Sequence, residues 1–463
     1  MSEKIQFDPE MIKRYDTSGP RYTSYPTAIA FTEKFTELNY LEHARNSNDD
    51  LIPSPLSLYF HIPFCDTVCF YCACNKIATK DYSRAEVYLE YLYKEIEMQA
   101  ALYDHDRKVE QLHFGGGTPT FLNDVQIENL MEKIRQHFDL YLSDDGDYSI
   151  EIDPRSVNAK TIGVLRDVGF NRFSLGVQDV NEVVQKAVNR IQPIEETREV
   201  IQACRDNDAR SISVDLIYGL PFQTLTSFDA TLDEIIDLSP DRISVFNYAH
   251  LPNRFKPQRR INEKDLPSSE EKLKILQLSV EKLITAGYVY IGMDHFAKPD
   301  DELALAQSDG KLHRNFQGYT THSNCDLIAM GVSSISSVAG CYSQNAKDIE
   351  DYYEVIDAGH LPVVKGLTLD NDDKIRRRII QQLACHFALD FEVFETSYGF
   401  RFVDTFTREL EMLEPMVNDN LLSIDNDGIT VSTSGRFLIR NICMVFDVSL
   451  RKKGVKERFS KVI

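Results

Sequence analysis

A chain of 463 residues is too long for one ordinary hydrophobic core, which predicts one large domain with smaller additions. Its 72 acidic against 51 basic residues give a net charge of −21, a field that repels nucleic acid unless a basic patch is strongly segregated. Hydrophobic residues make up 43% and charged ones 27%, the balance of a globular protein, and no apolar run of about 18 residues offers a membrane span.

The N-terminal MSEKIQFDPE has neither a basic n-region nor an apolar h-region, so no secretory signal is expected. The expected compartment is the cytoplasm, where thiols stay reduced. Residues 1–50 are expected to form an arm or lid, because the Pro and Gly of GPRYTSYPTA (19–28) forbid a long helix.

Within an expected catalytic domain of residues 51–365, the stretch from about 55 to 300 repeats a short β-rich run, a Gly- or Pro-containing loop and a helix-period segment such as IENLMEKIRQHF (127–138). The β runs are SLYFHIP (57–63), VEQLHFGGG (109–117), DYSIEIDP (147–154), NRFSLGVQ (171–178), SISVDLIYG (211–219), DRISVFNYA (241–249) and YVYIGMDHF (288–296). Strands alternating with helices predict a parallel sheet with right-handed crossovers. Each run carries unusual chemistry at its C-terminal end: His61 and the cysteines, Gly115–Gly117, Glu151 and Asp153, Gln178, Asp215, then Asn247 and His250. In a β/α barrel those ends converge on one face, so the fold class expected is α/β, a partial barrel.

Residues 366–463 change character. Helical stretches at 372–388 and 391–417 precede LLSIDNDGITVS (421–432), which carries an Asn-Asp-Gly hairpin signal, and a last helix near 434–445. Helices with one hairpin predict a winged-helix-like C-terminal domain, and the acidic background favours a structural cap over a DNA reader. The basic run KIRRRII (374–380) reads as the solvated face of a helix, and no nucleic-acid partner is expected.

Four of the nine cysteines lie in CDTVCFYCAC (65–74). In a reducing compartment such a cluster points to a metal. Zinc could close a tetrahedral site with four thiolates, but its ligands usually come as two separated pairs. A cubane iron–sulfur cluster is larger, and one flexible loop reaches three of its corners, so spacing favours the cluster.

The sub-pattern Cys65-x-x-x-Cys69-x-x-Cys72, with Tyr71 before the last cysteine and a β run ahead, looks like the radical S-adenosylmethionine superfamily. Three thiolates leave one iron open for the amino and carboxylate groups of S-adenosylmethionine. HFGGGTPT (113–120) lets backbone approach a ligand closely, and lacks the Gly-Lys-Ser/Thr ending of a phosphate loop. Glu151, Gln178 and Asp215 suit an amino group or a ribose.

The whole chain resembles the oxygen-independent coproporphyrinogen III oxidases. The resemblance rests on SGPRYTSYPTA (18–28), YFHIPFC (59–65), CFYCACNK (69–76), HFGGGTPT, GVQD (176–179), VNR (188–190), VDLIYGLP (214–221), NYAHLP (247–252), MDHFA (293–297), GYTT (318–321) and GVSSIS (331–336). It implies oxidative decarboxylation of two propionates of coproporphyrinogen III to vinyl groups, giving protoporphyrinogen IX in haem biosynthesis. The implied route is hydrogen abstraction at a propionate β-carbon by a 5′-deoxyadenosyl radical, then loss of CO2 and one electron.

It also implies a 4Fe-4S cluster on Cys65, Cys69 and Cys72, and two S-adenosylmethionine sites. The first uses Tyr59, Gly116, Glu151 and Ile335; the second uses Tyr71, Gly117, Thr118, Gln178, Arg190, Asp215 and Ala249. Tyr71 stands where a phenylalanine is common. A flavodoxin-type electron donor and a monomeric state are expected. A tetracarboxylate substrate meeting a net charge of −21 calls for local cations, for which Arg21, Arg254, Lys298 and Arg314 are candidates. His61 tunes the cluster loop, shuttles a proton or simply packs; His295 and His322 are similar, and the five scattered cysteines read as core. Two rivals share features: a haem chaperone of the same superfamily, against which the N-terminal motif and Cys74 count, and a zinc-stapled DNA-binding regulator.

Overall fold

The computed structural model describes residues 8–452, 459 and 461. The chain divides into two compact units: Phe31–Ser279 with Asn324–Thr368, and Met1–Ala30 with Val280–Ser323 and Leu369–Ile463.

The larger unit is built on one sheet. Its strands are β1 (Leu56–Ile62), β2 (Lys108–Gly116), β3 (Asp147–Ile152), β4 (Arg172–Gln178), β5 (Ser211–Tyr218), β6 (Arg242–Asn247), β7 (Asp326–Met330), β8 (Ile335–Val338), β9 (Cys341–Asn345) and β10 (Val363–Thr368). They lie in the order β6-β5-β4-β3-β2-β1-β7-β8-β9-β10. Every pairing from β6 to β7 is parallel, and β8, β9 and β10 add on antiparallel. Among the described residues no pairing closes the ladder, so the barrel is incomplete. The crossovers are α1 (Ser83–Ala100), α2 (Asp124–His137), α3 (Ala159–Asp167), α4 (Ile194–Asp206) and α5 (Leu225–Leu238). Polar caps fix several starts: the Asn123 side chain accepts from Gln126 N at 3.0 Å, and the Thr224 hydroxyl from Ser227 N at 3.1 Å.

Alternation along the strands separates two faces. Leu112 and Phe114, Ile150 and Ile152, Phe173 and Leu175, Ile212 and Val214, and Ile243 and Val245 are all buried on one face. The intervening positions carry small or polar groups: His113 and Gly115, Ser149 and Glu151, Ser174 and Gly176, Ser213 and Asp215, and Ser244. One face therefore makes the core, and the other can line a site.

Six of the seven expected strands are β1 to β6. The seventh run, YVYIGMDHF, also forms strands, but two short ones rather than one. Val289–Gly292 and His295–Ala297 form a tight antiparallel hairpin in the smaller unit, turned by Gly292 (φ 145°) and Met293 (φ 52°). On its other side from β2, β1 pairs in parallel with β7, a five-residue, wholly buried run that offers no alternation to read and was not expected from sequence.

In the smaller unit, α7 (Asn371–His386), α8 (Phe391–Tyr398), α9 (Thr407–Asn418) and α10 (Ile439–Phe446) surround a three-stranded sheet. It consists of β11 (Ala388–Asp390), β12 (Leu422–Ile424) and β13 (Gly428–Val431), with β13 central. The expected 391–417 stretch breaks where Gly399 adopts φ 71° and ends α8. Within the basic run, Arg376 is not solvated. It is buried and bridges Asp372 and Glu409, each at 2.8 Å. The N-terminal motif is strapped to these helices: Tyr22 donates to Asp447 at 3.1 Å and Arg440 to the Pro20 carbonyl at 3.1 Å.

Candidate active site

Parallel strands deliver their C-terminal ends to the same edge of the sheet. There, a cavity of about 460 Å³ is lined by Cys65, Cys69, Cys72 and Cys74 and by Glu151, Gln178, Arg190 and Asp215.

The cysteine loop leaves β1 through Pro63 and is tied down at both ends. Ile77 N donates to Pro63 O at 2.7 Å, and Thr79 N to Cys65 O at 2.9 Å. Its middle is held by the segment 188–190. Phe70 N donates to Val188 O at 2.9 Å, and Asn189, in a left-handed turn (φ 56°), donates from Nδ2 to Val68 O at 2.9 Å. Arg190 reaches the Cys69 sulfur at 3.7 Å and bonds Asp153 at 3.1 Å, while Gln258 donates to Tyr71 O at 2.9 Å. Thr118 donates to the Cys65 sulfur at 3.5 Å.

Cys65 and Cys69 are buried, Cys72 is partly buried and Cys74 is exposed. In the metal-free chain, burial pushes the Cys65 thiol up to about 11. A hydrogen bond between the Cys74 and Cys72 side chains holds Cys72 below the usual thiol range. Convergent soft thiols, on a loop whose backbone is already bonded to its neighbours, are a donor set that fits an iron–sulfur cluster. An iron ligand is a thiolate, so coordination replaces those protons.

The wall built by the strands follows from register. Pairing of Tyr59 with His113, and of His113 with Ser149, puts three inward side chains in a row. The Tyr59 and His113 rings stack with centroids 5.7 Å apart, and His113 Nδ1 lies 2.6 Å from the Ser149 hydroxyl. Its Nε2 then faces Glu151 at 3.4 Å, and the other Glu151 oxygen accepts from Gly116 N at 3.2 Å. His61 is buried, which lowers its pKa and keeps the ring neutral. Since Nε2 sits 3.0 Å from the Asn75 carbonyl it carries the proton, and Nδ1 accepts from the Tyr59 hydroxyl at 3.1 Å. Gln178 enters the cavity because β4 slips register between Gly176 and Gln178, where Gln178 takes φ 72°.

Asp215 is pushed up to about 7, first by burial and then by the charge of Glu151, against a hydrogen bond with Ser244 that lowers it. The folded state therefore binds more protons than the unfolded chain between pH 3.8 and about 7, and stability from this group falls as pH rises through that window. Asp215→Asn is expected to raise the unfolding free energy of the metal-free protein at pH 8 by on the order of 2 kcal/mol, and with it the melting temperature, and to lose the gain near pH 4. Denaturation followed at the two pH values checks it.

Of the residues named from sequence, the cavity gathers Cys65, Cys69, Cys72, Tyr71, Gly116, Gly117, Thr118, Glu151, Gln178, Arg190 and Asp215. Tyr59 stands behind His113; Ile335 opens β8 and Ala249 follows β6, and neither lines the cavity. Sequence reasoning missed His113, Asn189 and Gln258. The first was visible as a polar residue inside a strand, whereas the other two act through backbone contacts that carry no local signal.

The Radical SAM superfamily profile matches residues 59–235, and the HemN C-terminal domain profile matches residues 369–438. An oxygen-independent coproporphyrinogen III oxidase of Pseudomonas aeruginosa is 54% identical over 466 residues, covering 100% of both chains. The Escherichia coli protein of that name is 48% identical over 461 residues, covering 100% of this chain and 99% of its own. A solved structure of the E. coli enzyme, described as a radical SAM enzyme, superposes with a TM-score of 0.92 at 47% identity, over 96% of this chain and 100% of its own. Matched from end to end at this identity, the chain belongs to the oxygen-independent coproporphyrinogen III oxidases of the radical SAM superfamily.

Proposed function

We infer that this chain is an oxidoreductase that converts coproporphyrinogen III to protoporphyrinogen IX without oxygen, turning two propionates into vinyl groups in haem biosynthesis. The observation that carries this is the three-cysteine loop buckled over a cavity whose lining also presents Glu151, Gln178, Arg190 and Asp215, in a chain matched throughout by oxidases. Cys65, Cys69 and Cys72 hold a 4Fe-4S cluster; Cys74, exposed and one residue beyond Cys72's neighbour, is left out of it. With S-adenosylmethionine bound beside it, that cluster would supply the radical chemistry that takes hydrogen from a propionate.

The protein's part is to bind and orient. Glu151, already accepting from Gly116 N, offers its remaining lone pairs to an ammonium. Gly116 and Gly117 bring backbone to the cavity wall. Gly116 and Glu151, with Tyr59 and Ile335 beyond the cavity lining, form a first S-adenosylmethionine site. Tyr71, Gly117, Thr118, Gln178, Arg190, Asp215 and Ala249 form a second. Arg190 also holds Cys69 and Asp153 in place. A flavodoxin-type protein supplies electrons, and the enzyme works as a cytoplasmic monomer. No described helix is long and apolar enough to cross a membrane.

Among the four candidate cations, Arg21 is paired with Asp294 at 3.3 Å and Arg254 lies over the Phe255 ring. Arg314 is buried, and its Nε and Nη1 find no hydrogen-bond partner among the described residues. A buried guanidinium lacking acceptors is suited to a carboxylate that arrives with substrate.

The deciding assay is anaerobic, with reconstituted protein, S-adenosylmethionine, a low-potential reductant and coproporphyrinogen III. Protoporphyrinogen and deoxyadenosine should both accumulate. An intact cluster that yields neither would sink the reading.

A further inference from the structure

The 331–336 segment between β7 and β8 is an unusual piece of backbone. Gly331 (φ 96°) and Ser333 (φ 63°) are both left-handed, and the second is not glycine. A Cβ at 331 would lie 2.5 Å from the Tyr88 hydroxyl and 2.8 Å from the His61 carbonyl. Such a loop holds its shape only when its surroundings over-determine it.

Those surroundings centre on α1 and α6 (Ile349–Asp357). Glu95, with no solvent exposure, accepts from Gly331 N at 2.7 Å and the Tyr352 hydroxyl at 2.6 Å on one oxygen. Its other oxygen accepts from Asn345 Nδ2 at 2.7 Å, and that same amide also donates to Gly331 O and Ser334 Oγ, both at 3.0 Å. Two turns earlier on α1, and therefore on the same helix face, Tyr88 donates to His61 O at 2.7 Å and accepts from Val332 N at 3.1 Å. One helix thus grips the loop and the end of β1, from which the cysteine loop departs.

We propose that Glu95 is a positioning residue for S-adenosylmethionine binding: it sets the 331–336 loop that carries Ile335, while Tyr88 registers that loop against the end of β1. This rests on the assignment of Ile335 to an S-adenosylmethionine site above. The carboxylate is required for a stereochemical reason. All three of its partners present hydrogens, and Asn345 is held in its orientation by two further acceptors. A glutamine puts an amide NH2 against either Gly331 N–H or the Asn345 NH2, whichever way it turns. Glu95 has no solvent exposure, so no water stands in for a lost contact.

The test uses full-length reconstituted protein carrying Glu95→Gln. Expected are parental iron content and visible absorption, with S-adenosylmethionine binding by equilibrium dialysis about tenfold weaker, as for a displaced positioning contact. KM for S-adenosylmethionine should rise alongside, with kcat at saturation within about twofold and KM for coproporphyrinogen unchanged. Unchanged S-adenosylmethionine affinity overturns the proposal, as does a parallel loss of cluster, cofactor and substrate binding, which marks a merely structural residue. If Glu95→Gln does not fold, Tyr352→Phe removes one donor, and a selective, smaller loss of affinity is expected; no loss overturns the proposal. Parental protein that binds no S-adenosylmethionine defeats the functional reading and this inference with it, whereas parental binding with an indifferent variant defeats this inference alone.

Discussion

Replacing Cys65, Cys69 or Cys72 by serine, one at a time, is expected to leave a folded, colourless protein with no stable cluster and no deoxyadenosine formation. Each removes one of three thiolates that the loop brings to the cavity, and a hydroxyl does not replace a thiolate on iron. Two remaining ligands on a short loop cannot hold a cubane against solvent. Folding survives because the loop's tethers at Pro63, Val188 and Asn189 are backbone or amide bonds that do not involve sulfur. Cys74→Ser behaves differently. That thiol is exposed and bonds Cys72 only while Cys72 is free of metal, so iron and sulfide content should match the parent. Iron, sulfide and anaerobic absorption measured across the four variants separate the outcomes. A colourless Cys74→Ser protein would move Cys74 into the ligand set and close the coordination position that the chemistry needs.

Gly117→Ala should be as damaging to activity as the loss of a cysteine, by a steric route. A Cβ at 117 would fall 2.7 Å from the Phe64 carbonyl oxygen and 2.8 Å from the Pro63 carbonyl carbon. Both are backbone atoms, so no rotamer relieves the contact. Gly117 N also donates to Ile62 O at 2.8 Å, which ties the end of β2 to the start of the cysteine loop. The added methyl must therefore force these two segments apart or break that bond. The cost is on the order of 1–3 kcal/mol of stability, as for other overpacked sites. The larger consequence falls on Cys65 and Thr118, whose contact spans the same gap at 3.5 Å. Deoxyadenosine formation should fall by about a hundredfold or more, since displacements near 1 Å have that effect on aligned groups. Thermal denaturation and the anaerobic assay together check this; activity retained within a few-fold would show that the β1–β2 junction yields easily.

Much of the chemistry was legible because it is local. The cysteine spacing lies in ten consecutive residues, and strands β1 to β6 announce themselves through apolar runs that carry a Gly or a polar residue near their ends. Period-two alternation is a property of each strand alone, so it survives without knowledge of neighbours. The hairpin at 422–431 is similar, since Asp425 accepts from the backbone N–H of Asp427 and Gly428 within its own turn.

What the amino-acid sequence determined by itself was therefore the set of strands, the thiol set and the end of the sheet where chemistry collects. Tertiary structure alone decided the partners. It set Asp326–Met330, which was not among the expected runs, parallel beside β1, because a buried five-residue strand is defined only by what it pairs with. It turned Arg376 inward onto Glu409, although the surrounding run reads as a solvated face. It also set Glu95 beneath the 331–336 loop, 236 positions away along the chain. A buried carboxylate is tolerable only where donors converge from distant segments, and no stretch of sequence records that convergence.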